Sequence, residues 1–302
     1  MCREYAEQSR AWDFNVMAIK ILLQTTIVPT VDDWSIARFE LLSSFLRQQT
    51  DVSGNPTFEV TARDRASAGD DPVLSSLHRS DFDEMWLFAV DTGSGLTAAE
   101  CDSISEFRRS GRGLLVTRDH MDLGSSVCNL AGVGLAHQFH TKNLDARFPL
   151  QRDDPYTLNI DWPNFHSGAN GDFQQVEVVG DVHPVLVDET SPTGAVRFLP
   201  SHPHEGAVRV PEGESARIIA AGHSKATGRR FNIAVAFEAA GGKGRGIAES
   251  SFHHFVDYNW DPRRGCPSFV DEPAGDAILR NGVAMASTRT YVRNVATWLG
   301  QG

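Results

Sequence analysis

Short apolar runs that stop abruptly at polar residues alternate along this chain with stretches whose apolar positions recur every three or four residues. The first run, Ala18-Ile19-Lys20-Ile21-Leu22-Leu23, ends in Gln24-Thr25-Thr26, the pattern of a buried parallel strand entering a loop. After Asp32-Asp33, either of which can cap, Ile36, Phe39, Leu42 and Phe45-Leu46 place one apolar stripe on one face of a helix. Phe58-Glu59-Val60-Thr61-Ala62 predicts a second strand, and the polar stretch 63–71 an exposed loop.

The next unit is the most complete. Met85-Trp86-Leu87-Phe88-Ala89-Val90 reads as a buried strand that stops at Asp91-Thr92-Gly93-Ser94-Gly95. Thr97 with Glu100 three residues later forms a capping box, Ala98, Cys101, Ile104 and Phe107 face inward, and Gly111 sits where a helix end favours a left-handed residue. Gly113-Leu114-Leu115-Val116-Thr117 predicts another strand, ending in Arg118-Asp119-His120. Strand, helix and strand at this spacing make a βαβ unit, so the fold class is α/β.

Prolines break the periodicity between positions 149 and 203, leaving strand-like runs at 176–179 and 195–199, with a further one at 217–221. Residues 231–237 and 246–248 predict a hairpin or adjacent strand pair around a Gly-rich turn at 239–244. Residues 261–275 hold three prolines and read as a surface excursion, and a closing helix runs over about 284–299 with Val292, Val295 and Leu299 on one face. Without repeats, low-complexity tracts or a clear linker, the expectation is one domain over 16–300 with an elaborated second half, after an N-terminal extension of 1–15.

Composition narrows the partners. With 28 Lys+Arg against 39 Asp+Glu the formal net charge is −11, and 41% hydrophobic residues suffice for a packed core. An acidic surface with no long Lys/Arg run repels phosphate backbones and anionic lipid, so neither nucleic acid nor a membrane is an expected partner. A small-molecule ligand is, and the sequence is compatible with a homo-oligomer. Cys2, Cys101, Cys128 and Cys266 are widely separated, which predicts reduced thiols in a cytoplasm and no structural zinc. The polar residues 1–13 lack the apolar core of a signal peptide, and no run of apolar residues is long enough to span a bilayer, so the expected localisation is cytoplasmic.

In an open α/β sheet, ligands bind where the carboxyl ends of parallel strands converge. That rim would gather Thr25, Asp91, Arg118, Asp119 and His120, with His253, His254 and Asp257 delivered by a late strand through 246–251. Two stretches there carry a resemblance. Gly111-Arg112-Gly113-Leu114-Leu115-Val116 leading into a sharp polar turn, with Ser250-Ser251-Phe252-His253-His254 near the end, resembles the class I glutamine amidotransferase-like superfamily. His183-Pro184-Val185-Leu186 and Gly246-Ile247-Ala248-Glu249 running into the double histidine resemble its ThuA-like (trehalose-utilisation) family.

The resemblance implies a flavodoxin-like, mostly parallel sheet with helices on both faces, and a site at the turn after the fourth strand. In the amidotransferases that turn bears a cysteine, activated by a histidine, that attacks the glutamine amide. Here the turn reads Val116-Thr117-Arg118-Asp119-His120-Met121 and Cys128 lies beyond it, so glutamine hydrolysis has no nucleophile. The implied function is chemistry on a small polar metabolite, with carbohydrate as the class the family suggests, by acid/base catalysis through Asp119, His120 and His253 or His254. Thr25, Asp91, Arg118 and Asp257 would bind the ligand. The alternative is a non-catalytic ligand- or partner-binding module on the same fold.

Each group also has a plain structural role open to it. Asp119 and His120 could cap the next helix and pair with Arg118, and only one of His253 and His254 can face the rim if they lie on a strand. Asp257 could instead form a couple with His254. Gly93-Ser94-Gly95 could cradle a phosphate or be a flexible turn, and Trp162 and Trp260 could stack on a sugar ring or anchor loops. His202-Pro203-His204-Glu205 offers metal-ligand types, but the helical spacing that identifies such sites is absent, so no metal ligand is assigned and no cofactor is expected.

Overall fold

The fold is described from a computed structural model covering residues 17–137 and 160–301. Ten strands follow the chain: β1 (Ile19–Thr25), β2 (Phe58–Arg63), β3 (Glu84–Phe88), β4 (Gly113–Thr117), β5 (Phe173–Gln175), β6 (Glu177–Val178), β7 (Phe198–Pro200), β8 (Ala216–His223), β9 (Arg230–Phe237) and β10 (Gly246–Glu249). Eight of them form one sheet in the order β2-β1-β3-β4-β10-β9-β8-β6. β2, β1, β3, β4 and β10 are mutually parallel, whereas β9, β8 and β6 continue the sheet antiparallel. β5 and β7 pair separately.

Alternation along the central strands sends successive side chains to opposite faces, and both faces are covered. On one, Ile21, Leu23, Trp86, Phe88 and Leu115 pack with Phe39, Leu42 and Leu46 of α1 (Glu40–Arg47) and its approach, and with Tyr291, Val292 and Val295 of the closing helix, Gly282–Leu299. On the other, Leu22, Met85, Leu87, Leu114 and Val116 meet Ile104 and Phe107 of α2 (Ala98–Arg109) and the short turn Leu74–Arg79. Thr97 and Glu100 make the expected reciprocal capping box on α2. This is the α/β, flavodoxin-like, mostly parallel sheet with helices on both faces that the sequence predicts. No described helix is long and apolar enough to cross a membrane.

Three expectations need correction. The helix predicted from Ile36 begins as a 3-10 turn, Ile36–Phe39, and neither Asp32 nor Asp33 caps it. Asp32 instead accepts from Ser268, and Asp64 accepts from the Ile36 N–H at 2.7 Å. The late strand stops at Glu249, so His253 and His254 lie in a tight turn, Phe252–His254, rather than on a strand. Cys101 and Cys128 are joined in a disulfide, which corrects the expectation of reduced thiols for that pair. The excursion at 261–275 lies largely at the surface as read, with Phe269 meeting Trp34 at a ring separation of 6.5 Å.

The irregular segment between β4 and β8 crosses the carboxyl edge of the parallel strands. Residues 164–167 and 201–205 run side by side there, with Phe165 and Glu205 exchanging backbone hydrogen bonds at 2.8 Å. The segment then squeezes between the ends of β4 and β10 at Gly206, where a Cβ would lie 2.5 Å from the Ser250 carbonyl oxygen and 2.7 Å from that of Asp119. Both neighbours are backbone and cannot step aside. Gly206→Ala therefore is expected to cost about 1–3 kcal/mol through overpacking, read as a lower urea midpoint at unchanged slope; an unchanged midpoint would show that the crossing is looser than described.

Candidate functional site

Three distant segments meet at the carboxyl edge. β4 delivers Asp119 and His120 into a sharp turn whose next residue, Met121, has φ 46°. That left-handed conformation costs a Cβ-bearing residue roughly 1–2 kcal/mol, and it is held by the Met121 N–H, which donates to the Pro163 carbonyl at 3.1 Å. The strap at 201–205 brings His202 and His204, locked by Ser167, whose hydroxyl accepts from the His202 N–H at 2.9 Å. After β10, the Ser251 hydroxyl accepts from the His253 N–H at 3.1 Å and turns that ring inward.

The Asp119 side chain is completely buried, and neither of its oxygens accepts a hydrogen bond among the described residues. Its Oδ2 instead faces three imidazoles: Nε2 of His202 at 3.1 Å, of His120 at 3.6 Å and of His253 at 3.8 Å. The rings of His202 and His253 stack at 3.5 Å. Burial pushes the pKa of His253 and His202 well below the usual range, and the neighbouring imidazoles add to the effect, so both rings are neutral at pH 7. Burial likewise lowers that of His120.

A chain of amide bonds decides which nitrogen of each ring carries the proton. The Ser201 carbonyl can only accept, so the amide at 2.7 Å from it is Asn259 Nδ2, which also donates to Asn170 Oδ1 at 3.0 Å. Asn259 Oδ1 then faces His253 Nδ1 at 2.8 Å, and Asn170 Oδ1 faces His202 Nδ1 at 2.9 Å. Both Nδ1 atoms must donate, which leaves a lone pair on each Nε2 directed at the Asp119 carboxylate.

Above this cluster lies a cavity of about 500 Å³. His120, His202, His204 and His253 form its polar side with Asp33, Asp91 and Glu272, and Trp34, Ile27, Val90, Met121 and Phe269 its apolar side. His204 Nε2 lies 2.8 Å from Glu272 Oε1, and its Nδ1 lies 3.2 Å from Asn164 Oδ1. Among the lining residues there is no thiol; the free Cys266 makes its contact with the Val270 carbonyl instead.

The other residues singled out in the sequence divide. Asp91 and Thr92 line the cavity, with the Asp91 carboxylate also accepting from Ser126 and from the Gly93 N–H, so Gly93-Ser94-Gly95 is a loop stapled to Asp91. Thr25 does not line it and is bound to Asp64. Arg118 points away, donating to the carbonyls of Leu123 and His137, and so neither binds in the cavity nor pairs with Asp119. Asp257 accepts from the Leu41 N–H at 2.8 Å rather than joining His254, and burial raises its pKa to about 6. Trp260 is buried and donates to the His254 carbonyl at 2.8 Å, so it anchors the fold and offers no stacking face.

His254 belongs to a separate buried network. Its Nδ1 lies 2.7 Å from Glu249 Oε2 and its Nε2 3.1 Å from Glu205 Oε1. Ser250 and Gln174 donate to Glu205, and Tyr291 donates to Glu249. Burial alone would lower the His254 pKa, but the two carboxylates outweigh it and raise it to about 10. Because the folded-state pKa lies above the usual His value near 6.5, this charge stabilises the fold fully below about pH 6.5, and the contribution disappears as the pH rises toward 10. Denaturant midpoints should therefore fall across that alkaline range, and a flat profile would contradict the arrangement. His254→Ala leaves two buried carboxylates unpaired and should cost on the order of 3–5 kcal/mol, clearly more than His253→Ala in the same denaturation assay; equal costs would contradict the distinction.

No protein-family model matches the chain, and no curated protein matches it. Solved structures do. A putative ThuA-like protein from Parabacteroides merdae is 14% identical and aligns over 95% of this chain and 91% of its own, with a TM-score of 0.51. A cytoplasmic protein from Salmonella typhimurium aligns over 92% and 99% at 11% identity and a TM-score of 0.47. The CTPS glutaminase domain of Trypanosoma brucei aligns over 93% and 94% at 13% identity and 0.41. What the chain shares with the Parabacteroides merdae structure is the fold, an open and mostly parallel α/β sheet with the strand order given above.

Proposed function

We propose that the cavity is the active site of an enzyme that acts on a small polar metabolite by acid/base chemistry and without a covalent thiol intermediate. The observation that carries this is Asp119: a buried carboxylate with no hydrogen-bond donor, at the foot of an open cavity. An unsatisfied buried polar group costs roughly 1–3 kcal/mol, more when charged, and gives the fold nothing in return. Such a group at a strand-end crevice is a functional device, set where this class of sheet binds ligands.

His120 and His253 stand beside it as proton carriers, and the His204–Glu272 couple supplies a second acid/base pair on the cavity wall. A carbohydrate or related polyol is the class that fits the lining best. Trp34 and Phe269 offer an apolar wall to C–H faces, and Asp33, Asp91 and Glu272 offer acceptors to hydroxyl groups. The lack of a lining thiol agrees with a function other than glutamine hydrolysis.

A thermal-shift screen of small polar metabolites should find a ligand that raises the melting temperature, and that ligand should be turned over. Asp119→Asn should then lower kcat by about 10²–10⁴-fold with the fold intact. Full turnover by Asp119→Asn would contradict the proposal, and stabilisation by ligands with no turnover of any would identify a binding module instead.

A further inference from the structure

We propose that Asp119, His120 and His202 together bind one divalent first-row transition ion of the zinc or iron(II) class. The inference rests on the reading of the cavity as a reaction site and deepens it: the ion occupies Asp119, His120 and His202, and proton transfer falls to the His204–Glu272 couple.

The donor atoms already have the right separation. A tetrahedral ion with bonds of 2.0–2.1 Å holds its ligand atoms roughly 3.3 Å apart. Asp119 Oδ2 lies 3.1 Å from His202 Nε2 and 3.6 Å from His120 Nε2. The ligand atoms of Asp119, His120 and His202 all fall within 4.8 Å of one another.

The polarity of the cluster makes the same demand. Neither Asp119 oxygen nor His202 Nε2 has a hydrogen-bond partner among the described residues, and both side chains are more than nine-tenths buried. A proton between Asp119 and His202 would satisfy that pair with Nδ1–H still on Asn170 Oδ1, but it would not engage His120 Nε2, which faces the same carboxylate oxygen at 3.6 Å. The Ser201 carbonyl fixes the orientation of the amides. The His202 lone pair and the Asp119 carboxylate face each other at 3.1 Å, and a cation held between them and His120 would satisfy both.

Asn170 fills the place that an outer partner occupies in metal sites, holding the His202 Nδ1–H so that Nε2 faces the ion. Two imidazole nitrogens with one carboxylate select a transition ion over calcium or magnesium, which take oxygen ligands. His120, partly exposed at the cavity wall, places the ion where it would meet a ligand and act as a Lewis acid.

The test is binding. Untagged protein stripped with a chelator is checked for folding by circular dichroism and titrated with Zn²⁺, and separately with Co²⁺ for the visible absorption of a low-symmetry site. The expected result is one equivalent of each. His202→Asn and Asp119→Asn should bind on the order of a hundredfold or more weakly, while His223→Ala, at an exposed histidine paired with Glu177, should bind as the parent does. Less than about a tenth of an equivalent on the folded parent, or parental affinity in His202→Asn, overturns the proposal. Metabolite turnover that persists undiminished in the stripped protein overturns it too while leaving the acid/base function standing; stoichiometric binding without turnover upholds the ion site and removes the function.

Discussion

The hydrogen bond from the Asn259 amide to the Ser201 carbonyl sets the direction of everything around it, because a carbonyl can only accept. Its consequences run outward in one sense: Asn259 must turn its oxygen to His253, Asn170 must turn its oxygen to His202, and both imidazoles must direct a bare nitrogen at Asp119. The residues involved come from the end of β4, the loop holding Asn170, the strap at 201–205 and the turns after β10, and together they span more than a hundred positions of the chain. The parallel sheet supplies the only common reference they have. β4 and β10 are neighbours with Thr117 opposite Glu249, so the residues that follow each of them emerge side by side.

Two buried clusters of carboxylate and imidazole stand close along the chain and resolve the same electrostatic problem in opposite ways. Around His254, two glutamates flank one charged ring, and Ser250, Gln174 and Tyr291 fill the remaining acceptor positions. Both carboxylates there have a cation and hydrogen-bond donors, so the cluster acts as a structural tie between β10, the strap and the closing helix. Around Asp119 the donors are missing and the surrounding nitrogens present lone pairs. A fold can tolerate one such site because the His254 network and the two-sided core supply stability elsewhere.

The strands of the parallel half were legible because buried strands are short, apolar and bounded by polar residues, and the placement of Asp91, Asp119 and His120 followed from that. Side-chain direction beyond the strand ends was not. Arg118 and Asp119 are adjacent, yet one turns to backbone carbonyls and the other to the histidines, and no periodicity governs a turn. The doublet His253-His254 divided as expected between cavity and core, though a tight turn and not strand alternation divides it. His202 and His204 drew attention as a His-Pro-His pair, but their segment has no pattern that reveals where it crosses the sheet; only the glycine at 206 hints at a close approach. Asn259, Glu272 and Trp34 carried no signal at all, since each acquires its role through a partner remote in sequence.

The most direct test of this arrangement is the tautomeric state of the two stacked rings, read from nitrogen-15 chemical shifts and long-range proton couplings of the imidazoles at neutral pH. Protons on Nδ1 of both His202 and His253, with unprotonated Nε2, are the predicted result. A proton on Nε2 of either ring, or an imidazolium at either position, would contradict it.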